Sequence, residues 1–200
     1  MTELKQFNGA ASQVCNNAGL WSPINSILQG TGADNRIGRE ITLGPLRGRF
    51  RVTASGTTVS SPVGLRFILL YDKHCNATLG SSPFLISDLL VSNTPGTAQP
   101  EAGFVITNAD RFVVLYDRYW VAPAFEFTGG AFIPRMGPTS QDTFAFDFAV
   151  DATGLPCVYG NVLGAPPITG ALFCVFVGNS TVGAEKYTVT GAVDVLFVDN

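Results

Sequence analysis

Charge is scarce in this chain. Asp, Glu, Lys and Arg make up 14% of its 200 residues, against 46% hydrophobic residues, and mean hydropathy is +0.26. So little charge covers an ordinary surface poorly, which points to surface shared with other subunits. Histidine occurs once, as His74, so a site built on several imidazoles is excluded. No apolar run approaches the roughly 18 residues of a membrane helix. The start, MTELKQFNGAASQ, lacks the basic-then-hydrophobic layout of a secretion signal, and no membrane partner is expected. The four cysteines, Cys15, Cys75, Cys157 and Cys174, form neither a CxxC pair nor a dense disulfide framework. They read as free, mostly buried thiols of a reducing compartment. HExxH, GxSxG and paired-cysteine zinc patterns are missing as well.

What charge there is lies unevenly. Net charge is −3 and the pI is about 5.0, which argues against a freely basic nucleic-acid binder. Yet of nine arginines five, Arg36, Arg39, Arg47, Arg49 and Arg51, fall within sixteen residues, whereas Gly137 onward holds no arginine and a single lysine, Lys186.

Periodicity predicts β-structure throughout. In DTFAFDFAVD, Phe144, Phe146, Phe148 and Val150 share one face, and Thr143, Ala145, Asp147 and Ala149 the other. VGLRFILLYD (63–72) and RFVVLYDRYWV (111–121) are apolar on both faces over most of their length, as in strands covered on both sides by a second sheet, a loop or a neighbouring subunit. ALFCVFVG (171–178) and YTVTGAVDVLFVD (187–199) repeat the signal. Helix is limited to a short turn after Ser22-Pro23 and one or two turns in SSPFLISDLLV, with Ser82 as cap and Pro83 at the first helical position. Seven or eight strands joined by long Gly-, Pro-, Ser- and Thr-rich loops predict one all-β domain over 1–200, a sandwich or jelly roll.

Strand 41–52 carries the best chemical signal. Gly44-Pro45 should interrupt pairing as a bulge or bend, after which Arg47, Arg49 and Arg51 point to one face and Leu46, Phe50 and Val52 to the other. Three guanidinium groups at this spacing cannot be buried unpaired. They suit a phosphate backbone read without regard to sequence, and equally a charge-protected edge or salt bridges between subunits. Arg118, Tyr119 and Trp120 offer a stacking platform for a base, although aromatics there more often serve core or interface.

Other motifs carry less. QGTGADNRIGRE (29–40) is neither a P-loop nor a dinucleotide loop, since strand follows where helix is required. His74 and Cys75 are neighbours on extended chain, point to opposite sides and make a poor catalytic pair. The aspartates are scattered without an acid–base pair, so no enzymatic activity is expected. Oxygen ligation of calcium by such residues is open to any acidic loop, but nothing indicates it, and no cofactor or metal is expected.

Four blocks occur together in order: ELKQFN (3–8) with QGTG (29–32) and RIGREITL (36–43), then LRFILLYDKHCNAT (65–78), DRFVVLYDRYWV (110–121) and VDVLFVDN (193–200). This series resembles the jelly-roll capsid proteins of circular, replication-initiator-encoding single-stranded DNA (CRESS-DNA) viruses, similar to the coat of satellite tobacco necrosis virus. The last block lacks the arginine of the family pattern. The resemblance implies an eight-stranded jelly roll of two packed four-stranded antiparallel sheets, with residues 1–35 leading into the first long strand. It implies a subunit that assembles with copies of itself into a small icosahedral shell around a single-stranded DNA genome, in the virion and, during assembly, in the host nucleus or cytoplasm. Loops 79–110 and 122–141 would then make subunit contacts, and Arg36, Arg39, Arg47, Arg49 and Arg51 would line the interior. The family's basic N-terminal arm is missing ahead of ELKQFN, so nucleic-acid binding is expected to be weak or nonspecific. A lectin-like jelly roll binding glycan through loops such as WVAPAFEF is the alternative.

Overall fold

The computed structural model describes residues 4–54, 62–75, 84–122, 125–128, 131–134, 143–161, 166–182 and 187–199, with side chains described at all of these except 125–128, 131–134, 143 and 144. Its strands are β1 (Leu4–Val14), β2 (Leu20–Pro23), β3 (Glu40–Ala54), β4 (Val63–Asp72), β5 (Phe112–Ala122), β6 (Phe125–Thr128), β7 (Ala131–Pro134), β8 (Thr143–Val150), β9 (Pro156–Val158), β10 (Ala171–Gly178) and β11 (Tyr187–Asp199). One sheet runs β1-β11-β3-β8, with β9 on the start of β3, and the other runs β2-β10-β4-β5; β6 and β7 form a separate ribbon.

Counting the eight strands of the two main sheets in chain order, the first sheet reads first-eighth-third-sixth and the second reads second-seventh-fourth-fifth. Every neighbouring pair is antiparallel. That order defines an eight-stranded jelly roll.

Between the sheets lies an aromatic core. Phe50 of β3 meets Phe67 of β4 with ring centroids 4.9 Å apart, and Phe146 and Phe176 close in around Phe67 at 5.2 and 5.4 Å. Gly48 makes room for this cluster, because a Cβ there would sit 2.3 Å from the Phe148 ring. The alternation expected in β8 is present, with Phe146 and Phe148 buried and Ala145, Asp147 and Ala149 exposed. Gly44-Pro45 is a bulge: Leu43 faces Phe197 and Leu46 faces Val195, so two residues of β3 oppose Leu196 alone.

The second sheet is covered on its other side by the chain itself. Phe84, Ile86, Leu89, Leu90 and Ala98 pack with Ile68, Leu70, Phe173 and Val175 into a second buried cluster. This explains why β4 and β10 are buried at every residue. Much of the 79–110 loop expected to face neighbouring subunits is thus turned inward, although Leu85, Val91 and Ile106 remain exposed.

Several expectations are corrected. Residues 4–14 are not a lead-in but an edge strand paired with β11 along its whole length. Its inward positions are Lys5, Phe7, Gly9 and Ala11, too small or polar to register as an apolar period. No turn of helix follows Ser22-Pro23, because β2 runs through both residues to pair with β10. The helix in SSPFLISDLLV is α1 (Ile86–Leu89), with Leu85 at its N-cap and the Leu85 N–H bonded to Asp88 Oδ2 at 2.8 Å; Ser82 and Pro83 lie outside the described residues. β5 is an edge strand whose Asp117, Arg118, Tyr119 and Val121 are exposed, so it is not covered on both faces.

All four cysteines are buried thiols outside any disulfide. Burial pushes the thiols of Cys15 and Cys157 from 9.0 up to about 12, and that of Cys174 upward too. Thiolate is the reactive form, so native protein at pH 8 should react with Ellman's reagent no faster than it unfolds, and denatured protein at once. In the unfolded chain these thiols lose protons near 9.0 while the native ones hold theirs, so native stability should fall as pH rises through 9 toward 12. Rapid labelling of the folded protein, with no alkaline loss of stability, would contradict this.

Candidate nucleic-acid interface

The outward face of the first sheet is open, and β3 runs through its middle. Beyond the bulge β3 alternates without a break, so Arg47, Arg49 and Arg51 are exposed while Leu46, Gly48, Phe50 and Val52 are buried. Strand pairing puts each arginine in a row across the sheet. Asn8, Asp194, Arg47 and Ala149 form the first row; Ala10, Ala192, Arg49 and Asp147 the second; Ser12, Thr190, Arg51 and Ala145 the third. Small neighbours leave Arg47 and Arg49 lining a shallow groove of about 880 Å³, with Arg51 one row further along β3.

Acids are near but do not close on the arginines. Asp194 sits opposite Arg47, yet its Oδ1 accepts a hydrogen bond from Asn8 Nδ2 at 2.9 Å on the far side. Asp147 sits opposite Arg49. Among the described residues, ion pairs are made by Lys5, Arg66 and Arg111 and by none of these three arginines. Within the chain these three arginines are thus left for a partner outside it, a polyanion or the acids of a neighbouring subunit.

The other two candidates lie elsewhere. Arg36 is buried, with 2% exposure. Its Nε donates to Ile27 O at 3.2 Å, one terminal nitrogen donates to Gly38 O, and its guanidinium lies 4.1 Å over the Tyr159 ring. Desolvation lowers its pKa, the nearby Tyr159 and Asp199 opposing that shift. A guanidinium spent on carbonyls and an aromatic face is structural, so Arg36 leaves the interface set. Arg39 is exposed, but its Nε is engaged with Tyr159 O at 3.3 Å, away from the arginine rows.

The loop 29–40 has a structural task. It closes on itself through Gly30 N to Arg36 O at 2.9 Å and Arg36 N to Leu28 O at 3.0 Å. Lys5 Nζ then meets Asp199 Oδ2 at 2.8 Å and donates to Asn35 O at 3.0 Å, while both Asp199 oxygens accept from Ile37 N at 3.1 Å. ELKQFN, RIGR and the closing Phe-Val-Asp thus converge on one buried ionic clasp.

Two further arginines, unremarked in the sequence, join β4 to β5 and the segment after it. Arg66 forks onto Asp117 with both bonds at 2.7 Å, donates to Pro100 O and Ala102 O, and stacks over Phe104. Arg111 forks onto Asp72 at 2.9 and 2.7 Å. The spacing that would have revealed them is Arg-x5-Asp in both strands, R66 to D72 and R111 to D117, read antiparallel.

Of the stacking platform, Trp120 packs on Phe146 at 5.2 Å and belongs to the core, while Tyr119 is exposed and donates to Glu101 at 2.8 Å. His74 is exposed and its backbone N–H binds Asp72. Among the described residues no group of three His, Cys, Asp or Glu is placed to hold a metal ion, and no helix is long and apolar enough to cross a membrane. The aromatic loop of the lectin alternative, from residue 123, lies outside the residues with described side chains.

The molecule is thus a jelly roll with one self-covered sheet and one open, arginine-striped sheet. No protein-family model and no curated protein matches the chain. Among solved structures it is similar to a chain from Desmodium yellow mottle tymovirus, at 10% identity and a TM-score of 0.33, over 99% of this chain and 88% of that one. So distant a likeness carries no argument, and the fold assignment rests on strand order.

Proposed function

We propose that this chain is a viral capsid subunit that assembles with copies of itself into a closed icosahedral shell around a single-stranded DNA genome, with Arg47, Arg49 and Arg51 on the inner wall. The observation that carries the reading is an asymmetry of the two sheets. The outer face of β10 and β4 is covered by the chain's own 84–104 segment, whereas the outer face of β1-β11-β3-β8 is open and bears three arginines without ion-pair partners among the described residues. A face of that kind suits a polyanion. The remaining exposed apolar residues, among them Ile37, Ile106 and Val182, suit contact between subunits in a chain so poor in charge.

Jelly rolls also serve lectins and metal enzymes of the cupin kind. Cupin chemistry needs several histidine ligands, and the chain has one. A glycan-binding module gives no role to an unpaired arginine stripe. Negative-stain electron microscopy of the purified protein, read with its 260/280 nm absorbance ratio, is the test. Uniform closed shells with raised 260 nm absorbance are expected. Monomers or small oligomers across a range of salt would overturn the capsid reading and bring the glycan-binding module forward.

A further inference from the structure

We infer that the arginine stripe seats one extended single strand of nucleic acid lying along β3, a phosphate to each of Arg47, Arg49 and Arg51, and that Asp194 and Asp147 fence this track against duplex. The inference rests on the proposal that this face meets nucleic acid. Alternate residues of a strand lie about 6.7 Å apart, a separation of the order of that between successive phosphates of an extended polynucleotide. The three arginines share one strand and one face, so their forks form a straight line of positive charge along β3.

The line is one residue wide. Neighbouring strands lie about 4.8 Å to either side, and there the groove floor is alanine with Asp194 on β11 and Asp147 on β8. Asn8 keeps the Asp194 carboxylate turned toward β1, so it stands beside the track without neutralising Arg47. A duplex brings two backbones separated by a groove about 6 to 12 Å wide, which would set the second backbone off the arginine line, over flanking rows that hold Asp194, Asp147 and Asn8 and no cation. A single strand has no second backbone to place. The third row, Ser12, Thr190, Arg51 and Ala145, holds no acid, so Arg51 should grip hardest. Phosphate contacts carry no base information, and oligo-dT and oligo-U should bind alike.

The test is fluorescence anisotropy of the full chain with a ten-nucleotide oligo-dT and with the matching ten-base-pair duplex. Single strand should bind roughly tenfold tighter than duplex, and a fourfold rise in salt should weaken it about twentyfold, as three phosphate contacts imply. The D147N/D194N variant should narrow the preference by binding duplex several-fold better. R51A should cost more than R47A. Arg47, Arg49, Arg51 and Asp147 are exposed and Asp194 is half-buried, and a circular dichroism melt checks that each variant folds. Equal binding of duplex and single strand, both abolished in R47A/R49A/R51A, would overturn the single-strand track while leaving the face as the nucleic-acid surface. Unchanged binding in the triple variant would overturn that surface itself.

Discussion

Replacing Arg111 by leucine is expected to cost about 3–5 kcal/mol of stability, the penalty for stranding a buried charge. Its partner Asp72 is fully buried at the end of β4, where it takes both bonds of the Arg111 fork and one from the His74 N–H. The hydrogen bond to Asp72 is also the main reason that the Arg111 pKa is raised. With arginine gone, the carboxylate keeps the His74 N–H and loses its countercharge. For a chain of this size the loss should appear as a melting temperature lower by about 6–20 °C. Removing both charges, as D72N/R111L, should recover a large part of the loss, because no uncompensated ion then remains. A melting temperature within a degree or two of the parent for R111L would mean that water already solvates the pair.

The second large effect is at the centre of the sandwich. Phe67→Ala should cost about 3–5 kcal/mol. The ring is fully buried and lies between the sheets, with Phe50 and Phe146 on one side at 4.9 and 5.2 Å and Phe176 and Tyr116 of its own sheet at 5.4 and 6.0 Å. Rings this interlocked cannot collapse into the space without leaving their own rotamers, so much of the void persists. Phe7→Ala on the edge strand is the control, since Phe7 is partly exposed and packs at the margin of the core. Denaturant unfolding should show the central loss well above the edge loss. Equal losses would mean that the core has no such keystone.

The long strands and the fold class were legible in the sequence because alternation or unbroken apolar character survives in β3, β4, β8, β10 and β11. β1 was not, since Lys5, Gly9 and Ala11 face inward and give no hydrophobic period. β2 was hidden by its length of four residues and by a proline that reads as a helix start. The exposure of Arg47, Arg49 and Arg51 followed from period two alone, whereas Arg36 could not be separated from them by spacing. Its fate depends on Tyr159 and two carbonyls brought up by the fold. The forks of Arg66 and Arg111 left only the Arg-x5-Asp spacing as a trace, since ion pairs across 51 and 39 residues depend on the register of β4 with β5.

The pairing of β1 with β11 sets an order of events in time. Leu4 meets Val198, so the first strand to be made waits for the last before it can pair. β3 sits between β11 and β8, and until β11 is released it has one long neighbour instead of two. At about 5–20 residues per second the stretch from β1 to β11 takes on the order of 10–40 s to synthesise. Through that interval the arginine strand has no finished sheet beneath it, and contacts this distant in sequence also slow folding afterwards. A growing chain therefore has no finished open face to display until β11 has emerged and paired.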